Sequence, residues 1–519
     1  AEVGYVKNAT KDMILNVDVQ GNNTKLILYA TGKQPKVRVL VKDVSDKILF
    51  DNTVNISPAE PFCVEFSSNG VLAENMITDI YGQDGKLLLT YKADKEEIKP
   101  LPNPAEAAKD PKEIASIEQL FLTGLHLEQY RHATYNPMDY YEEALSREPG
   151  DVRCNNAMGL LWMRKGEFAK AEVHFRTAIK TLTQRNPNPY DGEPYFNLGW
   201  SCRMQGKIDE AYDAFYKAAW NAAWQDASYF EIARIETIRG EYEKALESVE
   251  KSLTRNWHHH KARQLKCSLL RKMKYNEKAV AFADASLEID SFNMGCRYER
   301  YLASGENSDL EKLKELMRDW SHGYIEYALD FVAGGLYEEA AGLLGLYLQD
   351  VEKVYPIIYY LLGYICMKQS NPFLAQEYFV KAEKCDSTYC FPNRIEEVLI
   401  LQEAVRQNPS DAKSFYYLGN FWYASRRYEN AVSCWEQSAT IDPEFPTVWR
   451  NLSLAYYNKC NNREKAVAAL EKAFALDNTD ARILMELDQL YKKLGPLGHE
   501  AVAEVEQCKI QSIVGVGSD

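Results

Sequence analysis

Glu128, Asp191 and Glu193 are the side chains in this chain whose type and setting best suit acid–base chemistry. Hydrolysis of a glycosidic bond needs two carboxyl groups roughly 5 to 10 Å apart, one held protonated and one ionised. Glu128 sits in LHLEQYRHATY, where His126, Glu128, Gln129, Tyr130, Arg131 and His132 crowd one or two turns of an expected helix. Glu128 and Arg131 share a face three residues apart, and His132 lies one turn from Glu128. That polar density suits a pocket for a ligand such as a sugar, with Tyr130 or Tyr135 as a stacking platform. It suits equally an interdomain hydrogen-bond network. Asp191 and Glu193 flank Gly192 after a proline-rich insertion, LTQRNPNPYDGEP. They also read as a turn and a helix N-terminus, where carboxylates favour the dipole without any catalysis. The structural reading is the simpler one.

Other chemistry is sparse. His258, His259 and His260 are consecutive beside Trp257, so their side chains point in different directions; i, i+4 spacing would suit a metal better. There is no HExxH, no CxxC, no phosphate loop and no recognisable nucleophilic triad. Cys385 and Cys390 are close in sequence with nothing to specify a redox role. We therefore expect no metal and no cofactor.

A second set of polar residues recurs with the repeat described next. Arg153, Asn156, Glu193, Asn197, Trp200, Arg203, Arg234 and Arg271 occupy positions that line the concave face of a helical-repeat solenoid. Arginines on one face of an acidic protein point to an acidic or carboxylate-bearing partner, or else to salt bridges with carboxylates on adjacent helices. The Lys and Asn set that clamps a peptide C-terminus is not reproduced. Tyr416 and Tyr423 are expected to face the same groove or to pack between hairpins, and Trp422 to be core.

These residues are positioned by a repeat. In GEPYFNLGWSCRMQGKIDEAYDAFYKAAW, residues 192–220, the offsets of Tyr195, Leu198, Gly199, Gly206, Ala211, Phe215 and Ala218 are those of a helix–turn–helix unit of tetratricopeptide kind. Gly199 and Ala211 are small so that helices A and B cross closely, and Phe215 is expected to fill the gap to the next hairpin. Ala211, Ala245 and Ala279 are spaced by 34 residues, the period of that repeat. One hairpin cannot bury its own face, so neighbours are required. The first hairpin, 117–147, is atypical; 293–320 loses the pattern but stays helical in composition; an extra helix is expected at 394–407.

Residues 3–91 instead carry period-two patterning in seven short runs separated by turn signals such as Gly21-Asn22-Asn23 and Gly82-Gln83-Asp84-Gly85. This predicts a small immunoglobulin-like antiparallel sandwich. The expected organisation is a sandwich over 1–95, a charged, proline-rich linker over 96–113, a tetratricopeptide solenoid of about ten hairpins over 114–495 and an irregular tail over 496–519.

A net charge of −14 and a pI near 5.3 argue against nucleic acid and anionic membrane surfaces as partners, because both demand a basic face. No apolar run is long enough to span a bilayer. The N-terminus carries no secretory signal pattern. Eleven scattered cysteines fit a reducing, cytoplasmic setting better than a disulfide framework, with Cys202 and Cys267 at buried repeat positions.

Several longer stretches are more specific: GLHLEQYRHATYNPMDYYEEALSREPGD (124–151), RNPNPYDGEPYFNLG (185–199), FYKAAWNAAW (215–224), FPTVWRNLSLAYYNK (445–459) and LMELDQLYKKLG (484–495). On these the chain resembles a family of large bacterial tetratricopeptide proteins. Members carry, ahead of a sandwich linker and the repeats, an N-terminal domain similar to the galactose-mutarotase β-supersandwich, which this sequence lacks. The resemblance implies the architecture and a carbohydrate leaning, with no defined reaction. The expected function is a scaffold for a protein or peptide partner, or for the missing domain of the same polypeptide. The alternative is the helical part of a carbohydrate-active protein, with its site near the first hairpins.

Overall fold

A computed structural model describes residues 4–95, 104, 106–130 and 134–494. The chain falls into two compact units. The first holds the described residues up to Ser116 with Tyr190–Phe196 and Tyr212–Arg318; the second holds Ile117–Pro189, Asn197–Ala211 and the described residues from Asp319 onward.

Eight strands open the chain: β1 (Asn8–Ala9), β2 (Met13–Gln20), β3 (Asn23–Ala30), β4 (Gln34–Asp43), β5 (Ile48–Ile56), β6 (Phe62–Ser67), β7 (Met76–Tyr81) and β8 (Leu87–Lys92). They form two antiparallel sheets, ordered β1-β2-β3-β6 and β5-β4-β7-β8. The alternation fixes the register: Leu15 faces Leu28, and Val39 faces Ile80. Met13, Leu15, Val17, Leu26, Leu28, Val37, Val39, Val41 and Ile80 all turn inward to one core. In this order β6 returns across the sandwich to pair with β3, the Greek-key crossing of immunoglobulin-like domains. The β3–β4 loop at Gly32 comes up against the Glu288 carbonyl in the helical part of the same unit.

Twenty-two α-helices follow among the described residues. In consecutive pairs they are α1 (Ile117–Gln129) and α2 (Pro137–Arg147), α3 (Val152–Arg164) and α4 (Phe168–Thr183), α5 (Glu193–Met204) and α6 (Ile208–Ala218), α7 (Gln225–Ile238) and α8 (Tyr242–Arg255), α9 (His260–Lys272) and α10 (Asn276–Ile289). Then come α11 (Met294–Ser304) and α12 (Asn307–Met317), α13 (Ser321–Ala333) and α14 (Tyr337–Asp350), α15 (Pro356–Lys368) and α16 (Pro372–Lys384). The extra helix is α17 (Ile395–Gln407), followed by α18 (Ala412–Ala424) and α19 (Tyr428–Ile441), α20 (Pro446–Asn458) and α21 (Arg463–Leu476), and α22 (Ala481–Leu494). No described helix is long and apolar enough to cross a membrane. The expected tail, 496–519, lies outside the described residues, as does most of 96–105.

The small residues of helix A have a specific cause. A methyl group on Gly159 would lie 2.3 Å from the Phe175 ring, on Gly363 2.4 Å from Phe379, and on Gly419 2.5 Å from Trp435. In these three hairpins the helix B aromatic therefore packs against the glycine of its own helix A, while Phe215 lies 5.5 Å, edge-on, from Phe196 of α5. The A–B turns need one left-handed residue. Gly166, Gly206, Gly240, Gly305 and Gly335 supply it at φ of 71 to 76°, while Lys274, Ser370, Arg426 and Asn461 adopt it in four other turns.

Candidate interaction surface

In the second unit, α3 and α5 bring part of the expected groove set together. Asn197 donates its amide to the Asn156 carbonyl oxygen at 2.9 Å, and both are buried. Arg203 lies over the Trp200 ring at 5.4 Å and donates to the Ala333 carbonyl at the end of α13. Arg153 stays exposed but pairs with Glu118 of α1 at 2.6 Å, over the Phe121 ring. In the first unit, Arg234 is buried, bonded to Glu231 at 2.9 Å and stacked on Phe230. Arg271 grips the fully buried Glu299 at 2.6 and 3.1 Å, and Ser268 donates to the same carboxylate. Arg153, Arg234 and Arg271 thus each have an internal carboxylate partner, and Arg203 a backbone carbonyl. Around Arg234 the helix is buried on every side, from Phe230 to Thr237.

At the first hairpin the His126 ring sits 4.6 Å from that of Tyr130, which is 73% exposed. Glu128 accepts from Arg164 at 2.6 Å and from the Tyr141 hydroxyl at 3.3 Å. Burial, then the Glu128 charge, pushes the Tyr141 phenol well above its ordinary range. Arg131 and His132 lie outside the described residues. Asp191 caps the start of α5 by accepting the Glu193 N–H at 2.9 Å. Gly192 is confined there by the Ala218 carbonyl and Trp224. Glu128 belongs to one unit, Asp191 and Glu193 to the other. Tyr416 is buried against Phe445 at 4.9 Å, and Tyr423 packs on Tyr428 and Trp435.

Among the histidines, His259 accepts the Ala262 N–H through Nδ1 and so caps α9, under the Phe230 ring. His260 is turned toward Asp290 at 3.8 Å. Donor atoms of Glu172, Cys202 and Glu210 lie within 4.8 Å of one another. The carboxylates are already engaged: Glu172 holds Arg176, Lys207 and Gln205, and Glu210 holds Arg176. Burial raises the Glu172 pKa, but these three donors outweigh it and leave the group at about 2. A divalent ion would have to displace two cations. In the sandwich a cavity of about 190 Å³ opens beside Lys7, Asp18, Met76, Thr78 and Tyr91.

Sequence reasoning missed a set of exposed aromatics at the turns. In the first unit Trp220 follows α6, Trp257 follows α8 and Phe292 follows α10; in the second, Trp320 precedes α13, and Tyr389 and Phe391 precede α17. The three indoles are 62, 54 and 65% exposed. Lys217 lies over Trp220 at 3.8 Å and Arg263 over Trp257 at 4.4 Å, so the rings are held without being buried. The signal was present: an indole directly after helix B stands where turns prefer Gly, Asn, Asp or Pro.

A family model for the tetratricopeptide repeat matches residues 400–447, from within α17 to the start of α20. The helices form an array of tetratricopeptide kind. The sandwich, residues 8–91, matches the model of the second domain of YphG-like proteins. Solved structures similar to this chain include YrrB, described as a TPR protein with an unusual peptide-binding site, at 21% identity over 47% of this chain and 99% of that one, TM-score 0.18. A tetratricopeptide repeat protein from Parabacteroides merdae is 17% identical over 59% of this chain and 98% of that one, TM-score 0.27. Pseudomonas aeruginosa pilF is 16% identical over 41% of this chain and 94% of that one, TM-score 0.35.

Proposed function

We propose that this chain is a non-catalytic scaffold that holds a protein or peptide partner against its tetratricopeptide hairpins. The observation that carries the reading is the set of exposed indoles on turns between hairpins, each fixed by its neighbours. Rigid aromatic side chains with one face free give large contact area at low entropic cost, which is what a binding hot spot requires. The helix A residues Asn156, Asn197, Trp200 and Arg203, with Arg153 and Arg234, then serve to shape the array more than to neutralise an acidic ligand, because Arg153 and Arg234 are ion-paired, Arg203 donates to a backbone carbonyl and the two amides bond each other. His126 and Tyr130 offer exposed aromatic surface of their own at the first hairpin of the second unit. Arg131 and His132 are proposed to contribute there as well.

A preceding domain of the same polypeptide is a second candidate occupant, since the model matching the sandwich describes a second domain. A carbohydrate-directed role would fall to Glu128, Asp191 and Glu193. No observation favours it, because Glu128 is held by Arg164 and Tyr141 while Asp191 serves as a helix cap.

The test is a displayed peptide library and a glycan array probed with the intact chain and with a W220A/W257A variant. We expect peptides sharing a motif, bound with micromolar Kd and weakened about tenfold or more by the double substitution, as for hot-spot truncation. Binding confined to glycans, or peptide binding indifferent to both tryptophans, would overturn the reading.

A further inference from the structure

The first unit contains a charge without an obvious purpose. Arg263, on α9, is fully buried, yet no carboxylate among the described residues pairs with it. Its Nε donates to Ser286 Oγ at 2.9 Å and one terminal nitrogen to the Trp257 carbonyl at 3.2 Å; the other, Nη2, has no partner. The guanidinium is clamped between the Trp257 and Phe282 rings at 4.4 and 4.7 Å. A buried cation lacking a counter-anion is expensive to keep, and burial depresses its pKa accordingly.

What lies next to it is a pair of thiols. Cys267 is one helical turn further along α9 and so on the same face as Arg263. Cys296, on the neighbouring α11, brings its Sγ to 4.0 Å from that of Cys267, and both are fully buried. Their shared packing partners are Ala283 and Phe282 of α10. A thiolate formed at either sulfur would be favoured by the Arg263 charge. At rest the second thiol and burial hold Cys267 in its neutral form, so the pair is unreactive until something abstracts a proton; Arg263 is the group that lowers that cost.

We propose that Cys267 and Cys296 are a redox modification site: an oxidisable dithiol that closes to an α9–α11 disulfide, with Arg263 as the positioning cation for the attacking thiolate. With a hydroperoxide as oxidant, one thiolate attacks the O–O bond, giving a sulfenic acid and, after protonation, water. The second sulfur attacks the first, and the hydroxyl leaves with a proton as a second water. The net change is two thiols and one H₂O₂ to one disulfide and two H₂O. The bond would join the A helices of adjacent hairpins and lock their relative rotation.

The experiment is treatment of the intact chain with hydrogen peroxide, alkylation of residual thiols after unfolding, and peptide mapping. We expect a Cys267–Cys296 cross-linked peptide, lighter than the two separate peptides by two hydrogen atoms. Its formation should raise the melting temperature, and both effects should vanish in C296S. R263M should slow cross-linking about tenfold, while R263K, which keeps the charge, should lose less. The mapping in the unsubstituted protein decides the matter even if an Arg263 variant folds poorly. Recovery of Cys267 and Cys296 as free thiols once the exposed Cys63 and Cys460 have been oxidised, or their pairing with other cysteines, overturns the site. Oxidation of R263M at the unsubstituted rate overturns the part given to Arg263.

Discussion

Gly363 shows how a single residue type can be dictated by one contact. Its hydrogen is the only substituent that fits beneath Phe379, so Gly363→Ala must push the ring or part α15 from α16. We expect a loss of about 1–3 kcal/mol, the usual cost of overpacking, read as a lower denaturation midpoint. The turns give the opposite sign. Lys274 holds φ of 67°, a conformation that costs a side chain energy, and Lys274→Gly should gain about 0.5–1 kcal/mol. A titrating residue adds a third prediction. Burial, opposed by Asp226, lowers the His259 pKa below 6.5, and its neutral Nδ1 is the α9 cap. Between the folded pKa and 6.5 the unfolded chain binds more protons, so stability falls as pH drops through that window. His259→Asn keeps an acceptor at the cap and removes the titration. The variant's midpoint should therefore change less between pH 7 and 5 than that of the unsubstituted chain; equal slopes would count against this role.

Between elements, the α3–α4 turn of the second unit is pinned to the α18–α19 turn. Arg427 bonds Glu167 at 2.8 Å and the Lys165 carbonyl at 3.1 Å, its guanidinium lies over Trp422, and Gly166 abuts the same indole. The two partners are 262 residues apart, so nothing in the local sequence of either turn announces the contact. A double-mutant cycle on Glu167→Ala and Arg427→Ala should give a coupling of about 0.5–3 kcal/mol, and a value near zero would make the contact incidental. Here the limits of the sequence are physical. Repeat spacing reports packing within a hairpin and between neighbours, where offsets are fixed by helix geometry. It carries no term for contacts between turns far apart along the chain. The same limit explains the groove residues: that Arg203 and Arg271 stand on helix A could be read, but that the Ala333 carbonyl and the Glu299 carboxylate accept from them could not.

For the molecule as a whole, the two fold types differ in what sustains them. The sandwich has its own closed core, from Met13 and Leu15 to Ile80 and Leu89, and its period-two runs were readable strand by strand; only the two-residue β1 escaped. Residues 4–95 expressed alone should therefore melt in one cooperative transition, followed by near-ultraviolet circular dichroism, whereas a non-cooperative melt would mean the helices of its unit complete the core. The hairpins depend on neighbours, so their stability is shared along the array. By itself the sequence determined the sandwich, the tetratricopeptide period, the extra helix at α17 and the small residues at each crossing, because all of these follow from steric rules acting over one or two turns of backbone. Only the tertiary structure decided that Arg153, Arg234 and Arg271 are ion-paired, that Glu128 accepts from Arg164 and Tyr141 while Asp191 accepts the Glu193 N–H, and that indoles stand exposed at the turns. Those outcomes turn on which distant group arrives within about 3 Å, the range over which a hydrogen bond or ion pair acts.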